Sequence, residues 1–257
     1  MPHVVVIGAG IVGASVAYGL ARRGARVTVL EASRPAAGTT RSSFAWVNAN
    51  DKPPYEYHSL NAAGLAEHHR LAVELGGHWF FSTGNLEIAT APERRSAVSQ
   101  KVTRLQDWGY QAERVTDRRA RELAPDLRLP PGDRADYIFY PEEGWVAAPV
   151  LTHCLLEASG AEVIAPARVT ALETKSAQVV GVAAGGRTFR ADWVVDCSGP
   201  AAGDLLRPLD VAIARRQSRG LLVVTEPMPT CLVRIVHADG VHLRPDGAGR
   251  ILIGSTD

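Results

Sequence analysis

Hydrophobic positions along the chain follow two rhythms. Val4-Val5-Val6-Ile7 is an unbroken apolar run; a glycine-rich turn follows, then an alanine-rich stretch from Ile11 to Arg23 closed by Gly24, and a second apolar run from Arg26 to Leu30 that stops at Glu31. Short apolar runs bounded by turn residues are buried strands, and the longer stretch between them is a helix. Strand, helix, strand is a parallel β-α-β unit with a right-handed crossover. Ala36 to Asn50, rich in Ala, Gly, Thr and Ser, reads as a loop, and helical spacing returns over Tyr55 to Leu75, marked by Leu60, Leu65, Leu71 and Leu75.

After Gly76-Gly77 the pattern turns β-like through His78 to Thr90, then gives two amphipathic, Arg-rich helices over 93–108 and 116–123. Pro130-Pro131-Gly132-Asp133 is a turn cluster and Tyr137 to Tyr140 a short aromatic strand. From Pro149 the α/β rhythm resumes with a helix to Ser159, a strand Glu162 to Ile164, short strands about Val169, Val179 to Val182 and Thr188 to Ala191, and a strand Trp193 to Asp196. Arg219 to Thr225, Val233 to His237, Val241 to Leu243 and Ile251 to Ile253 then read as antiparallel strands. The expectation is an α/β fold: a Rossmann-like nucleotide-binding domain on a parallel sheet (1–77 and 141–214), interleaved with a second domain on a mainly antiparallel sheet (78–140 and 215–257).

Composition narrows the function. The 257 residues are 46% hydrophobic and 21% charged, which excludes disorder, collagen and a small disulfide scaffold. Lys and Arg number 28 against 27 Asp and Glu, so no general attraction to nucleic acid or anionic lipid is expected and small-molecule work is the default. Cys154, Cys197 and Cys231 are widely spaced and read as reduced, partly buried thiols without disulfide or zinc spacing. Neither signal-peptide order nor an apolar stretch of about 18 residues is present, so a cytoplasmic protein is expected.

The strongest chemical signal is Gly8-Ala9-Gly10-Ile11-Val12-Gly13 between strand and helix, with Glu31 eighteen residues past Gly13 at the end of the next strand. Gly8 permits the tight turn, Gly10 lets a pyrophosphate approach the backbone, and Gly13 lets helix and strand pack closely. The helix N-terminus offers free N–H groups and the positive end of its dipole, and Glu31 accepts from a ribose diol. NAD and FAD share this pattern. Ala37-Gly38-Thr39-Thr40-Arg41-Ser42-Ser43, with its hydroxyls and N–H groups, and the strand-to-turn tract Trp193-Val194-Val195-Asp196-Cys197-Ser198-Gly199 favour FAD, although the first also fits an ordinary polar loop and the second a buried strand and turn.

Taken together these segments resemble the FAD-dependent amine and amino-acid oxidoreductases that include D-amino-acid oxidase, glycine oxidase and sarcosine oxidase. The opening from Val4 to Glu31 resembles that family's, as do E-E-G-W-V-A-A-P, A-R-V-T-A-L-E, A-D-W-V-V-D-C-S-G and V-H-L-R-P-D-G-A-G-R-I-L-I-G-S-T. The resemblance implies that Gly8, Gly10, Ile11, Val12, Gly13, Glu31 and Ala32 hold the AMP half of FAD, that Thr39 and Thr40 lie along the cofactor, and that the Phe44-Ala45-Trp46 backbone sits beside the isoalloxazine ring. Val169 matches the position whose backbone meets adenine, and Ser198-Gly199 the turn passing close to the cofactor. His242 stands where glycine oxidase and D-amino-acid oxidase carry an active-site tyrosine, which makes it the catalytic candidate for an amine or amino-acid substrate; a merely satisfied histidine is the competing reading.

Arg244 offers a cation that is expected to face away from His242, toward solvent. His68-His69 on the 55–75 helix, and Arg118, Arg119 and Arg121 interleaved with Asp117 and Glu122, read as solvated surface rather than metal or phosphate sites. In the family the carboxylate-binding arginine comes from beyond the G-S-T tract. Two functions follow from the resemblance: an FAD-dependent oxidase or dehydrogenase of amines, or a non-catalytic FAD-binding remnant; an NAD-dependent dehydrogenase is a third, weaker reading. The same shortness relative to the family leads us to expect an unpaired sheet edge and exposed apolar surface at Ile251 and Ile253.

Overall fold

The opening apolar run forms β1 (His3–Ile7), the alanine-rich stretch α1 (Ile11–Ala21), and the second run β2 (Arg26–Leu30), in a computed structural model that describes residues 1–214 and 220–255. The chain continues through β3 (Trp46–Val47), α2 (Tyr55–Glu74), β4 (Phe80–Phe81), β5 (Asn85–Ala89), α3 (Pro92–Asp107), β6 (Glu113–Val115), α4 (Asp117–Leu123), β7 (Asp136–Tyr140) and β8 (Gly144–Val146). It goes on with α5 (Ala148–Ser159), β9 (Glu162–Ile164), β10 (Val169–Lys175), β11 (Gln178–Ala184), β12 (Arg187–Arg190) and β13 (Trp193–Asp196). The last strands are β14 (Leu222–Val224), β15 (Ile235–Ala238), β16 (Val241–Pro245) and β17 (Ile251–Ser255). Arg219, where the sequence starts a strand, lies outside the described residues.

The chain divides into two units, Met1–Ser43 with Ala147–Gln217 and Phe44–Val146 with Ser218–Asp257. In unit 1 the order β13-β1-β2-β9 makes a wholly parallel sheet. The buried side of α1 carries Gly13, Ala14 and Ala17; small side chains let a helix lie close to a sheet. β10, β11 and β12 form a separate antiparallel sheet, and Val182 and Ala184 share a core with Val5, Ile7 and Leu30.

Unit 2 is built on a sheet in the order β14-β17-β16-β15-β5-β7-β6. Its pairs are antiparallel except β15 with β5. One face, with Leu86, Ile88, Tyr137 and Val236, packs on Ala120 and Leu123 of α4. The other presents Ala89, Ile138 and Tyr140 to Val98, Val102 and Leu105 of α3 and to Leu65 of α2. Period-two alternation puts Asn85, Glu87, His237, His242 and Arg244 on this second face too.

Three expectations change. Residues 44–77 and 141–146 lie in unit 2 rather than with the nucleotide domain: Leu65 belongs to the α3 core, and β8 pairs with both β3 and β4. β17 is not an edge, since β14 and β16 flank it and Leu252 is buried; the sheet ends instead at β14, where Val223 and Val224 are about half exposed. Arg244 is buried, because residues i and i+2 of a strand share a face and this face is covered. Smaller differences are β6 and β8, too short to stand out by periodicity, and Cys231, which is exposed. No helix of the described residues is long and apolar enough to cross a membrane.

Ile138 is fully buried between Glu87 on β5 and Arg114 on β6. Ile138→Ala is expected to cost roughly 2–5 kcal/mol of stability. Denaturant unfolding checks this: the midpoint should fall with little change in slope.

Candidate functional site

The glycines at the β1–α1 turn are required for different reasons. Gly8 has φ +97°, and a Cβ on it would lie 2.5 Å from the Cys197 carbonyl oxygen at the end of β13. A Cβ on Gly13 would lie 1.9 Å from the Gly8 carbonyl oxygen. Both are closed by the protein's own backbone. Gly10, in contrast, has an ordinary φ of −77°, and a Cβ there would meet only Thr40 Oγ1, at 3.1 Å. Neither backbone conformation nor backbone packing demands glycine at this position, which leaves the turn open to close approach by a ligand.

The surrounding groups suit that ligand. Ile11 donates its N–H to Thr40 Oγ1 at 3.0 Å, so Thr40 caps the helix and keeps its own hydroxyl proton to donate. Val12 and Gly13 follow in the first turn, where N–H groups have no intrahelical acceptor and the helix dipole is positive. Glu31 accepts from the Ala9 N–H at 2.9 Å through one oxygen and from the Ser33 N–H at 2.8 Å through the other. The carboxylate is thereby oriented beside Ala32, with lone pairs left for a diol. Thr39 is exposed, and its carbonyl accepts from the Ser42 N–H at 3.1 Å.

Val169 opens β10 opposite Ala184, with a register shift before Ala171. Asp196 folds the turn beyond β13: its Oδ1 accepts from the Ser198 N–H at 3.0 Å and the Ser198 hydroxyl at 2.6 Å, its Oδ2 from the Gly203 N–H at 3.2 Å. Gly199 takes φ +65°, in the left-handed region. Burial and the Asp196 charge push the Cys197 thiol up, so it stays protonated at neutral pH. A turn closed at Gly8 and Gly13, open at Gly10, ringed by N–H groups and backed by an oriented carboxylate fits a dinucleotide.

In unit 2 the second sheet face carries a cross-strand row from Gly254 through His242 and His237 to Glu87. The His242 ring leans over β17, for a Cβ on Gly254 would lie 2.4 Å from its Nε2. Phe44 stands edge-on to it, ring centroids 4.4 Å apart, and Trp46 lies 5.1 Å from His237. His237 Nε2 is 3.1 Å from Arg94 Nη2, and an arginine can only donate. The same nitrogen lies 3.4 Å from Glu87 Oε1. His237 Nδ1 and His242 Nδ1 are buried without a partner among the described residues. Burial and the neighbouring His237 hold the His242 pKa below the ordinary histidine value, leaving it neutral at pH 7.

Two buried carboxylates flank the row. Glu87 meets the Lys101 ammonium at 2.7 Å, Arg94 at 3.1 Å and the Tyr140 hydroxyl at 2.6 Å. Burial would raise its pKa, but the contact with His237 and the Lys101 charge outweigh it and hold the carboxyl well below the usual range. Glu143 accepts from Tyr110 (2.7 Å), Asn50 (2.9 Å), Trp46 Nε1 (3.0 Å) and Asn85 (3.2 Å). None of these donors is a cation, and burial pushes the Glu143 carboxyl up to about 7.

Of the residues singled out from sequence, Gly8, Gly10, Ile11, Val12, Gly13, Glu31, Ala32, Thr39, Thr40, Val169, Ser198 and Gly199 belong to unit 1, and Phe44, Ala45, Trp46 and His242 to unit 2. Glu87, His237 and Glu143 were not singled out, and Arg244 was expected to face solvent; a charged residue at the centre of the apolar strand Leu86-Glu87-Ile88 is the sequence signal for the first. His68 packs on Trp79 and Phe80 and His69 on Phe80, and the described residues hold no metal-binding group of three or more His, Cys, Asp or Glu. Arg119 and Arg121 pair with Glu122 and Asp117 on α4.

Residues 3–257 match the sequence pattern of the FAD dependent oxidoreductase family. The chain is 28% identical over 266 residues to the mitochondrial pyruvate dehydrogenase phosphatase regulatory subunit of Mus musculus, covering 98% of itself and 30% of that protein. It is 27% identical over 267 residues to glycine oxidase of Geobacillus kaustophilus, covering 98% of itself and 69% of the relative. It thus spans less than a third of the first relative and about two thirds of the second. The crystal structure of L-proline dehydrogenase from P. horikoshii shares the fold, with a TM-score of 0.87 at 20% identity over 100% of this chain and 70% of the other.

Glu143 generates a pH prediction. Its folded pKa of about 7 exceeds the ordinary glutamate value of 4.5, so the folded state binds the proton more tightly. The contribution is lost as pH rises from 4.5 to 7, on the order of 3 kcal/mol. Glu87, shifted the other way, has finished titrating in both states by about pH 5.5, while His242 stabilises the fold as pH rises through the same window. Comparing Glu143→Gln with the native chain isolates this carboxyl's contribution: in denaturant melts at pH 5 and 7 the native chain should lose about 2–3 kcal/mol relative to the variant as pH rises. Parallel profiles would contradict the assignment.

Proposed function

Because the chain belongs to the family of FAD-dependent oxidoreductases, we propose that it binds FAD through unit 1 and oxidises an amino acid or related amine with groups of unit 2. The observation that carries this reading is Gly10, a glycine whose own fold leaves room for a side chain but for Thr40 Oγ1. In this reading Gly8, Gly10, Ile11, Val12 and Gly13 cradle the pyrophosphate. Glu31 takes the ribose hydroxyls next to Ala32, Thr39 and Thr40 lie along the cofactor, Val169 meets adenine, and Ser198-Gly199 forms the nearby turn.

When bound, FAD supplies the two-electron acceptor for the C–H bond beside the amine, and the resulting imine hydrolyses in water. The chain's own residues supply position and electrostatics. Neutral His242 accepts a hydrogen bond, or a proton, from the substrate amine. Phe44 and Trp46 provide an apolar wall, with the Phe44-Ala45-Trp46 backbone beside the flavin ring. Glu87 is compensated by Lys101 and Arg94, so the face does not repel a substrate carboxylate as an unpaired anion would.

A second reading, FAD binding without turnover, is favoured by one observation: the murine relative is named a regulatory subunit. The two separate on one experiment. Purified protein should carry a flavin absorbance spectrum, and anaerobic addition of glycine, N-methylglycine or D- and L-amino acids should bleach it for at least one amine. A spectrum that no amine bleaches favours the second reading, and protein that takes up no flavin contradicts both. Glu31→Ala is expected to weaken FAD binding by about tenfold or more through the lost charge-assisted hydrogen bonds, measured by flavin fluorescence titration.

A further inference from the structure

Arg244 lies two residues beyond His242 on β16, on the same covered face. Its guanidinium is held through two of its three nitrogens and lies against two rings. Nε donates to the Phe44 carbonyl at 2.7 Å; Nη1 donates to the Pro245 carbonyl at 2.6 Å and to Asp246 at 3.0 Å. Its Cζ is 4.5 Å from the Trp145 ring centroid and 5.6 Å from that of Phe44. Burial pulls its pKa below the ordinary arginine value, offset in part by Asp246. Burying a cation this way is unfavourable compared with an aliphatic side chain of similar volume, so the reason for arginine here is geometric. A planar fork reaches a carbonyl while it stacks on a ring, which lysine or leucine does not do.

What the fork holds is the segment before β3. Ala45 takes φ +57°, unusual for a residue with a Cβ. Three consecutive residues are tied: Phe44 through its carbonyl to Arg244, Ala45 through its carbonyl to the Val146 N–H at 3.0 Å, and Trp46 through Nε1 to Glu143. The Phe44 ring is one wall of the His242 imidazole, and the open side of Gly254 is the other. We propose that Arg244 is a positioning residue: it locks the Phe44-Ala45-Trp46 turn and, through the Phe44 ring, sets the orientation of His242. Its catalytic consequence rests on the reading that His242 meets the substrate; the positioning does not.

The test compares FAD-loaded native protein with Arg244→Gln and Arg244→Lys, isotopically labelled at Phe and His. The native protein should show a nuclear Overhauser contact between the ring protons of Phe44 and His242. Arg244→Gln should lose it, and Arg244→Lys, which keeps one donor for the Phe44 carbonyl, should restore it in part. Retention of the full contact in Arg244→Gln overturns the proposal. If that variant does not fold, the native Arg244 Nε–H decides: hydrogen exchange slowed at least a hundredfold relative to a free arginine supports the clamp, and exchange at the free rate overturns it. With N-methylglycine or glycine as probe substrate, kcat should fall at least tenfold in Arg244→Gln while FAD affinity holds. Loss of the ring contact with unchanged kcat supports the positioning and instead removes His242 from the substrate.

Discussion

The contact on which unit 1 depends is backbone against backbone at the first turn of the chain. Gly13 on α1 lies over the Gly8 carbonyl, and Gly8 lies against Cys197 at the end of β13. Any side chain at either position would push the helix off the sheet or β13 off β1. The same closeness aims the free N–H groups of the helix N-terminus past Gly10 and lets Ala9 donate to Glu31. Fold and proposed cradle are thus one piece of geometry: the closeness that lets the parallel sheet form also leaves the helix N-terminus open to an anion.

Unit 2 solves a different problem. Its sheet buries one face on aliphatic side chains, but the other carries Glu87, His237, His242 and Arg244 among aromatic rings. Each buried charge is handled separately. Glu87 is neutralised by Lys101 and Arg94, Arg244 is spread over two rings and three acceptors, and Glu143 is surrounded by uncharged donors and is near its titration midpoint at neutral pH. An apolar face would be easier to stabilise. A polar one held this tightly keeps its side chains in fixed positions, the preorganisation that the proposed substrate site would need.

Much of unit 1 was legible in the sequence because its signals are local: an apolar run, spaced glycines and an acid at the end of the next strand all fall within the segment from Val4 to Glu31. Unit 2 was legible as elements but not as an arrangement. Tyr55–Glu74 is a helix as its leucines indicate, yet its partner core on α3 lies tens of residues away, and β3, β4 and β8 are two- or three-residue strands whose pairing no periodicity announces. Arg244 follows from a simpler rule: residues two apart on a strand share a face, so its burial was readable once β16 was placed on a covered sheet. Glu143 was invisible for another reason. Its surroundings come from Trp46, Asn50, Asn85 and Tyr110, which meet only when the chain is folded.

Gly10 is where fold and function separate. Its φ is ordinary and a Cβ there meets one hydroxyl oxygen, so Gly10→Ala should leave the melting temperature within a few degrees of the native value. Isothermal titration of the cofactor-stripped native chain and of Gly10→Ala with FAD is therefore the most direct measurement. The account predicts tight binding to the native chain and a loss of at least tenfold in the variant. Equal FAD affinity in both proteins would contradict it.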